Sequence, residues 1–450
     1  MKYVPVLDKG FRPMYAEFKK YSEEAAKTEN KLLKICVERN DGYNYIYEYK
    51  IFANGHKDEN NLMAERIVKT ILWLVGGYKI YLAGDENVYE FIKAAYTDKG
   101  IRAFDKNFME RVYEKPFEVI MCDEKNFPKE KKCSLSVGGH LDGCRIGFDA
   151  GGSDRKVSAV IDGKVVYSEE VVWFPKINSD PDCHYNEILT ALKTAASKMP
   201  RVDAIGVSSA GVYVNNKIMV ASLFLKVNDE DFEKKVKTMY IDVAKELGEN
   251  IPLEVANDGD VTALAGAIDL NDDSVLGIAM GTSEAVGYIN NNGGLNGWLS
   301  ELAFVPVDYN KDSMVDEWSG DYGCGVKYFS QDSVIKLAEM GGFKFNEKLK
   351  VVQKMMSDGD PLAKQIYEDI GTYLGHTMPF YAMFYGIKHV LLLGRVTSGL
   401  GGNIIMERAN KILEEEYPEL KFRIEMPDEK NRRVGQSIAA ASLAATNKTK

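Results

Sequence analysis

The sequence lacks the segments that mark membrane-spanning, secreted and disulfide-built proteins. No apolar run approaches the roughly 18 residues that a bilayer-spanning helix needs. The first residues, MKYVPVLDKGFRP, contain no apolar core of a secretory signal. The six cysteines are scattered and none forms a Cys-x-x-Cys pair, so neither a thiolate zinc site nor a disulfide framework is indicated. We therefore expect a cytoplasmic protein with no membrane partner.

Positive charge is also scarce. The formal net charge is −10, which argues against a general nucleic-acid partner. The first 140 residues are nearly neutral and the remainder carries the acidic excess. The change coincides with a loop-like, lysine- and glycine-rich segment at Lys125–Gly143. A chain of 450 residues is too long for one core, so we expect two or three domains, with residues 1–140 as an N-terminal α/β extension.

The extension contains a hairpin signal but no motif that carries chemistry. Leu32–Arg39 and Tyr43–Phe52 flank Asn40-Asp41-Gly42, a turn sequence between β-rich runs. Alternating tyrosines from Tyr43 to Tyr49 share one face of the second strand. That row is either a half-exposed sheet face or a stacking platform for a ligand. The extension does not resemble a winged helix-turn-helix, because it has no basic recognition helix.

Two loops further along the chain have the composition of phosphate sites. Ile146–Phe148 is a short predicted strand that runs into Asp149-Ala-Gly-Gly-Ser153, and glycines there let the backbone approach a polyphosphate. Asp149 would face Mg²⁺ through water, because Mg²⁺ keeps much of its hydration. A plain glycine turn is the alternative. A later apolar run, Val275–Met280, ends in Gly281-Thr282-Ser283, where backbone N–H groups can cradle a second phosphate.

A candidate general base lies between these loops. Leu253–Ala256 is a predicted strand that leads into Asn257-Asp258, and a small, Ala-rich helix follows. A carboxylate at a strand-to-helix turn can accept a proton from a substrate. The alternative for Asp258 is an N-cap, because aspartate before a helix often caps it.

In their order, these motifs resemble the ROK family of sugar kinases and repressors, within the actin-like ATPase superfamily. The resemblance covers about residues 145–450. The segments that carry it are IGFDAGGSDRKVSAVIDG, AIGVSSAG, VANDGDVTALAGA, GIAMGTSEAVGYI, GWLSELAFV, YGCGVKYFS, HVLLLGRVTSG and GQSIAAASLAA. It implies an α/β fold of two ribonuclease-H-like lobes with a cleft between them: 145–268 plus 436–450, and 269–435.

The resemblance also implies roles for individual residues. Asp258 would be the base that deprotonates a sugar hydroxyl. The sugar would lie against Asn257, Asp258, Glu301 and Gly211. ATP and Mg²⁺ would be held by Asp149, Gly151, Gly152 and Ser153, by the second phosphate loop at Gly281 and Thr282, and by Gly394 under the adenosine. Positioning and electrostatic stabilisation dominate phosphoryl transfer, so backbone loops and one carboxylate are the parts it needs. A homodimer is compatible with the resemblance.

The zinc site of the family is missing from the sequence. The family's histidine falls on Phe304, and of its three zinc cysteines only Cys324 remains, with Trp318, Ser319 and Asp321 nearby. A tetrahedral site needs four ligands, so we expect no zinc.

Other departures fall on the sugar and nucleotide positions. Ser283 replaces a glycine of the second phosphate loop, and Glu284 follows it, where a carboxylate would repel phosphate unless it turns away or binds the metal. Arg395 replaces a glycine, and Ser222 replaces an asparagine of the sugar pocket. Three functions therefore stay open: a sugar kinase for a hexose or N-acetylhexosamine, a sugar-binding regulator without catalysis, and another actin-like ATPase whose extension binds a protein.

Overall fold

The computed structural model describes residues 1–133, 137–343, 349–427 and 429–446, and the chain divides into two compact units. The first comprises Met1–Cys133, Ile278–Ala285 and Gly297–Met426. The second comprises Ser134–Gly277, Val286–Asn296 and Pro427–Lys450. No helix among the described residues is both long and apolar enough to cross a bilayer.

The N-terminal part of the first unit is a four-stranded sheet with helices. Its elements are α1 (Met14–Ala26), β1 (Asn30–Glu38), β2 (Asn44–Phe52), α2 (Lys57–Val75), β3 (Lys79–Ala83), α3 (Glu86–Ala95), α4 (Ala103–Tyr113) and β4 (Glu118–Met121). The strand order is β2-β1-β3-β4. The antiparallel β1–β2 hairpin confirms the predicted turn, in which Asp41 and Gly42 have φ of 59° and 71°.

The tyrosine row of β2 packs inside this unit. Tyr45 meets Trp298 edge-on with ring centroids 5.4 Å apart, and Tyr47 lies 5.3 Å from Phe384. The partners of these rings therefore come from the far end of the chain. Backbone bonds join the same parts, since Ser300 N donates to the carbonyl of Leu74 at 2.8 Å.

The second unit is built on a five-stranded sheet. Its elements are β5 (Cys144–Ala150), β6 (Asp154–Ile161), β7 (Lys164–Val172), α5 (Pro181–Ala196), β8 (Ala204–Ser209), β9 (Val212–Val214), β10 (Lys217–Val220), α6 (Asp229–Asp231), α7 (Met239–Leu247), β11 (Leu253–Asn257), α8 (Asp258–Leu270) and the C-terminal helix Glu429–Ala441. The sheet order is β11-β8-β5-β6-β7. β5, β8 and β11 are parallel, and β6 and β7 return antiparallel.

Both faces of this sheet are covered. Ile146, Phe148 and Val207 belong to a core shared with α5 and α7. On β5 and β8, Gly147 and Gly206 leave room for the backbone of the C-terminal helix: a Cβ on Gly147 would lie 2.5 Å from the carbonyl of Ser437. Parallel strands end at one edge, so the segments after β5, β8 and β11 emerge together there.

The remaining elements complete the two units. They are β12 (Val275–Met280), β13 (Glu284–Ile289), α9 (Gln331–Met340), α10 (Leu349–Ser357), α11 (Pro361–Tyr381), β14 (His389–Leu393), α12 (Leu400–Glu416) and β15 (Arg423–Glu425). The strand order is β13-β12-β14-β15, and the unit boundaries fall within β12 and β13. In the first unit α11 packs on α12 through Gly371 and Gly375, where a Cβ would meet Arg408 and Ile412 at 2.7 and 2.8 Å.

Candidate functional site

The loop after β5 is fixed by contacts from neighbouring strands. Asp149 is half-buried, and Ser208 Oγ on β8 donates to its Oδ1 at 3.0 Å. Trp173 donates from Nε1 to the carbonyl of Gly151 at 2.7 Å and from its backbone N to Ser153 at 3.2 Å. The turn Gly151–Ser153 is therefore held rigidly at its carbonyls. Sequence reasoning assigned no role to either residue: Ser208 lies in the segment AIGVSSAG without a function of its own, and Trp173 lies in no motif.

The N-cap of α8 is Asn257, not Asp258. Asn257 Oδ1 accepts from Gly259 N at 2.7 Å, and its Nδ2 donates to the carbonyl of Gly211 at 2.8 Å. Asp258 is the first helical residue, and its carboxylate accepts a local bond from Gly259 N at 3.0 Å. The capping alternative for Asp258 is therefore wrong, because the cap is supplied by the residue before it.

Glycines position the start of α8 against β13. A Cβ on Gly259 would lie 2.8 Å from the carbonyl of Val286, and one on Gly287 would collide with the backbone of Gly259. Tyr288 N also donates to Asp260 Oδ1 at 3.3 Å. This close packing fixes the first turn of α8, which carries Asp258.

Burial and mutual repulsion raise the pKa values of the carboxylates in this region. Burial raises the pKa of Asp258, the negative charge of Asp149 raises it further, and Lys176 opposes both. Burial also raises the pKa of Asp149, against the hydrogen bond from Ser208 and the charge of Lys156. For Asp260, burial is the main cause of a pKa of about 7, to which Asp258 adds. Asp149 and Asp258 are thus close enough to interact electrostatically.

In the first unit, the turn Gly281–Ser283, which the sequence predicts to bind phosphate, is tight and lies beside Gly394. Gly281 N donates to the carbonyl of Ser283 at 2.9 Å, and Gln331 N donates to the carbonyl of Gly281 at 2.9 Å. Gly394 has φ of 96°, and a Cβ there would collide with the backbone of Met280. Gly281, Thr282 and Gly394 therefore lie together at the ends of β12 and β14. The neighbouring Arg395 is exposed.

Glu284 turns into the protein instead of facing the loop. Its side chain is 3% exposed, and neither carboxylate oxygen has a hydrogen-bond partner among the described residues. A Cβ on Gly325 would lie 2.5 Å from Glu284 Oε2, so glycine makes room for the carboxyl group. Burial raises the pKa of Glu284 well above its usual range, and Glu301 raises it further. The carboxyl group therefore resists ionisation more strongly than an exposed glutamate does.

The position of the family histidine is occupied by an aromatic cluster. Phe304 lies 4.3 Å from Trp73, 5.4 Å from Phe104 and 6.4 Å from Phe108, measured between ring centroids. Those partners come from α2 and α4 of the extension. Glu301 begins the same short turn, and its backbone N donates to the carbonyl of Trp73 at 3.0 Å.

The segment that matches the zinc motif is built into a buried ion network. The carboxylate of Asp321 forms ion pairs with Arg66, Lys69 and Arg102, with N–O distances of 3.0–3.2 Å. Two further acids, Glu65 and Asp105, pair with the same cations, and all six side chains are at most 5% exposed. Cys324 is buried beside them. This arrangement does not fit zinc, because three cations already neutralise the carboxylates, and the described residues contain no metal-binding group of three or more His, Cys, Asp or Glu.

Comparisons with known proteins agree with the motif order. The ROK family model matches residues 145–446. A ROK hexokinase from Thermus thermophilus is 16% identical, with a TM-score of 0.51 over 66% of this chain and 97% of that one. A ROK family transcriptional regulator, homologous to an Escherichia coli protein, is 17% identical, with a TM-score of 0.50 over 67% of this chain and 79% of that one. No curated protein sequence matches the chain significantly.

The structural likeness shows the fold: α/β, with the ribonuclease-H-like lobes of actin-like ATPases, as predicted. The family model covers about two thirds of the chain, and the extension lies outside it. The chain therefore belongs to the ROK family.

Proposed function

We propose that this protein is a cytoplasmic, ATP-dependent sugar kinase that acts on a hexose or an N-acetylhexosamine. The ROK family contains both sugar kinases and sugar-responsive repressors, so membership alone does not choose between them. One observation carries the proposal. Asp258 is half-buried at the start of α8, and the charge of Asp149 raises its pKa. Asn257 caps the helix, so the Asp258 carboxylate is not needed as the N-cap.

In this proposal Asp258 takes the proton from the attacking sugar hydroxyl. A general base works best when its pKa approaches the working pH, and burial and Asp149 both move the pKa of Asp258 upward. The packing of Gly259 on Val286 keeps the carboxylate in place. Little reorganisation is then needed when the proton moves.

The phosphate contacts fall to backbone loops. Asp149, oriented by Ser208, would hold Mg²⁺ through water, and the Gly151, Gly152 and Ser153 amides would meet the phosphates. Gly281 and Thr282 would form the second clamp, with Gly394 beneath the adenosine. When bound with ATP, Mg²⁺ neutralises charge on the phosphates.

The sugar contacts fall to Asn257, Gly211 and Glu301. An amide has two donor hydrogens and two acceptor lone pairs. Asn257 uses one of each on Gly211 and Gly259, which leaves one of each for a sugar hydroxyl. The bond between Asn257 and Gly211 also fixes the orientation of the amide.

We also propose a domain layout and leave open a homodimer. Residues 1–140 form the extension, 145–268 with 436–450 form the first lobe, and 269–435 form the second. Residues 447–450 lie outside the described part of the chain.

A sugar-binding regulator without catalysis is the second candidate. Phe304 favours it, because a phenylalanine ring cannot supply the hydrogen bonds of the family histidine. Such a protein would bind sugar through Asn257 and Glu301 and transfer no phosphoryl group.

Turnover and binding together test the proposal. Purified protein is assayed for phosphate transfer from Mg²⁺-ATP to a panel of hexoses and N-acetylhexosamines, and the same panel is used in thermal-shift measurements. A ligand that binds the folded state raises its melting temperature by mass action. We expect transfer to at least one sugar. A sugar that stabilises the protein but is never phosphorylated would favour the regulator.

A further inference from the structure

The first phosphate loop carries the wrong charge for a polyphosphate ligand. Asp149 and Asp154 lie at its two ends, and Asp258 is within electrostatic reach of Asp149. No lysine or arginine occurs between Asp149 and Asp154. Phosphate binding is usually strengthened by charge-assisted hydrogen bonds from such side chains. A side-chain cation that reaches this loop from elsewhere would therefore strengthen phosphate binding.

Lys176 reaches over the loop from the segment after β7. A Cβ placed on Gly152 would lie 2.9 Å from Lys176 Cε and 3.1 Å from Nζ. The ammonium group thus lies next to Gly152, which has no side chain to cover the proposed phosphate-binding turn. Sequence reasoning missed Lys176, because it follows the loop by more than twenty residues and belongs to no motif.

The backbone that carries Lys176 is well fixed. Pro175 is buried at the start of a short helical turn, Pro175–Ile177, and Asn178 N donates to the Pro175 carbonyl at 3.2 Å. Trp173, two residues before Pro175, is bonded to Gly151 and Ser153. The phosphate loop and the lysine are therefore held by the same short segment.

Lys176 is also available for a ligand. Within the described ranges it is exposed and makes neither a hydrogen bond nor an ion pair with protein. The other nearby lysine, Lys156, is engaged with Asp154 at 3.4 Å. The charge of Lys176 also lowers the pKa of Asp258, against the effect of burial.

We propose that Lys176 is a phosphate-binding residue that contacts the terminal phosphate of the nucleoside triphosphate over Gly152. The inference rests on the proposed kinase function and deepens it. Its charge would neutralise a phosphate oxygen that Asp149, Asp154 and Asp258 otherwise repel. Because charge grows on the transferred group in the transition state, we expect Lys176 to affect turnover as well as binding.

The test compares Lys176→Gln and Lys176→Arg with Lys164→Gln, which removes the same charge from the exposed start of β7. Calorimetry measures binding of inorganic tripolyphosphate and of Mg²⁺ with a non-hydrolysable ATP analogue, and melting temperatures check folding. We expect Lys176→Gln to weaken both ligands by about tenfold or more. Turnover should fall by about 10²-fold. The arginine variant should recover part of both, and Lys164→Gln should resemble the native protein.

The binding and turnover measurements separate this inference from the kinase proposal. If the native protein turns over and Lys176→Gln matches it in binding and rate, Lys176 is not a phosphate ligand and the kinase proposal stands. If the native protein phosphorylates no sugar, the kinase proposal fails, and tripolyphosphate binding still decides the role of Lys176. The inference is overturned if the native protein binds no tripolyphosphate. It is also overturned if Lys164→Gln weakens tripolyphosphate binding as much as Lys176→Gln does.

Discussion

The carboxylates of Asp149 and Asp321 lie in two segments where the family has functional residues, and their surroundings differ. Asp149 is half-buried and accepts a hydrogen bond from the hydroxyl of Ser208. Asp321 is buried and forms ion pairs with two arginines and a lysine. A carboxylate with few partners retains the capacity to bind a metal or a ligand, whereas one surrounded by cations serves stability. The loop at Asp149 therefore stays a proposed ligand site, whereas Asp321, in the segment that resembles the family's zinc motif, is paired with residues of the extension.

The largest expected effect is on catalysis, at Asp258. Asp258→Asn keeps the shape but removes the proton acceptor, so turnover should fall by about 10²–10⁴-fold. The Michaelis constant for sugar should change little. Asp269→Asn, on the exposed end of the same helix, is the control. A variant that keeps native turnover would show that Asp258 is not the general base.

The next effect is on stability, at Asp321. Asp321→Ala leaves Arg66, Lys69 and Arg102 with one carboxylate fewer in a buried site, and breaking such a network typically costs about 3–5 kcal/mol. Denaturant unfolding of the full chain measures it. Asp312→Ala, an exposed change in the same region, should be close to neutral. Equal losses in the two variants would show that the ion network contributes nothing specific.

A smaller, pH-dependent effect is expected at Glu284. Its folded pKa lies well above that of the unfolded chain, so the folded state keeps a proton that the unfolded state releases. Stability from this group therefore falls as pH rises above about 4.5. Glu284→Gln removes that dependence.

We expect Glu284→Gln to match the native protein near pH 4.5 and to be the more stable of the two at pH 8. The exposed Glu339→Gln is the matched control. Melting temperatures across this pH range provide the measurement, and a constant difference at every pH would contradict the buried-acid explanation.

The smallest effect concerns zinc. Phe304 and the cation-paired Asp321 do not form a zinc site, so a chelator should leave the melting temperature unchanged. Elemental analysis of protein purified without added metal should find no stoichiometric zinc. One zinc per chain would remove the contrast between the two segments.

Local turn chemistry was predictable from the sequence. Asn40-Asp41-Gly42 and Asn215-Asn216 both give hairpins, with Asn215 and Asn216 at φ of 52° and 64°. The strand-to-helix step at Asn257-Asp258 was also expected. Such signals lie within a few neighbouring residues, where backbone preferences decide the outcome.

Long-range pairings were not predictable. Arg66 and Lys69 are charged residues in a helical pattern, and charged side chains are usually exposed. Their burial depends on Asp321, 255 residues after Arg66. The contact of Lys176 with Gly152 likewise depends on the return of β7 beside β6. A π-helical turn, Phe232–Val236, comes before α7, and the carbonyl of Lys237 just after it accepts from Ile218 N on β10, a long-range contact of the same kind.

The ion network of the extension has a consequence for the order of folding during synthesis. Arg66, Lys69 and Arg102 leave the ribosome more than 200 residues before Asp321, which completes their charge balance. Until Asp321 is synthesised, the three cations have only Glu65 and Asp105 as acidic partners within the network. Burying them at that stage would leave a positive charge uncompensated, so the final packing of the extension has to wait for the later segment. Domains usually fold as units from the N-terminus. This extension would instead be completed late, and a chain cut after residue 133 should not reach its native packing.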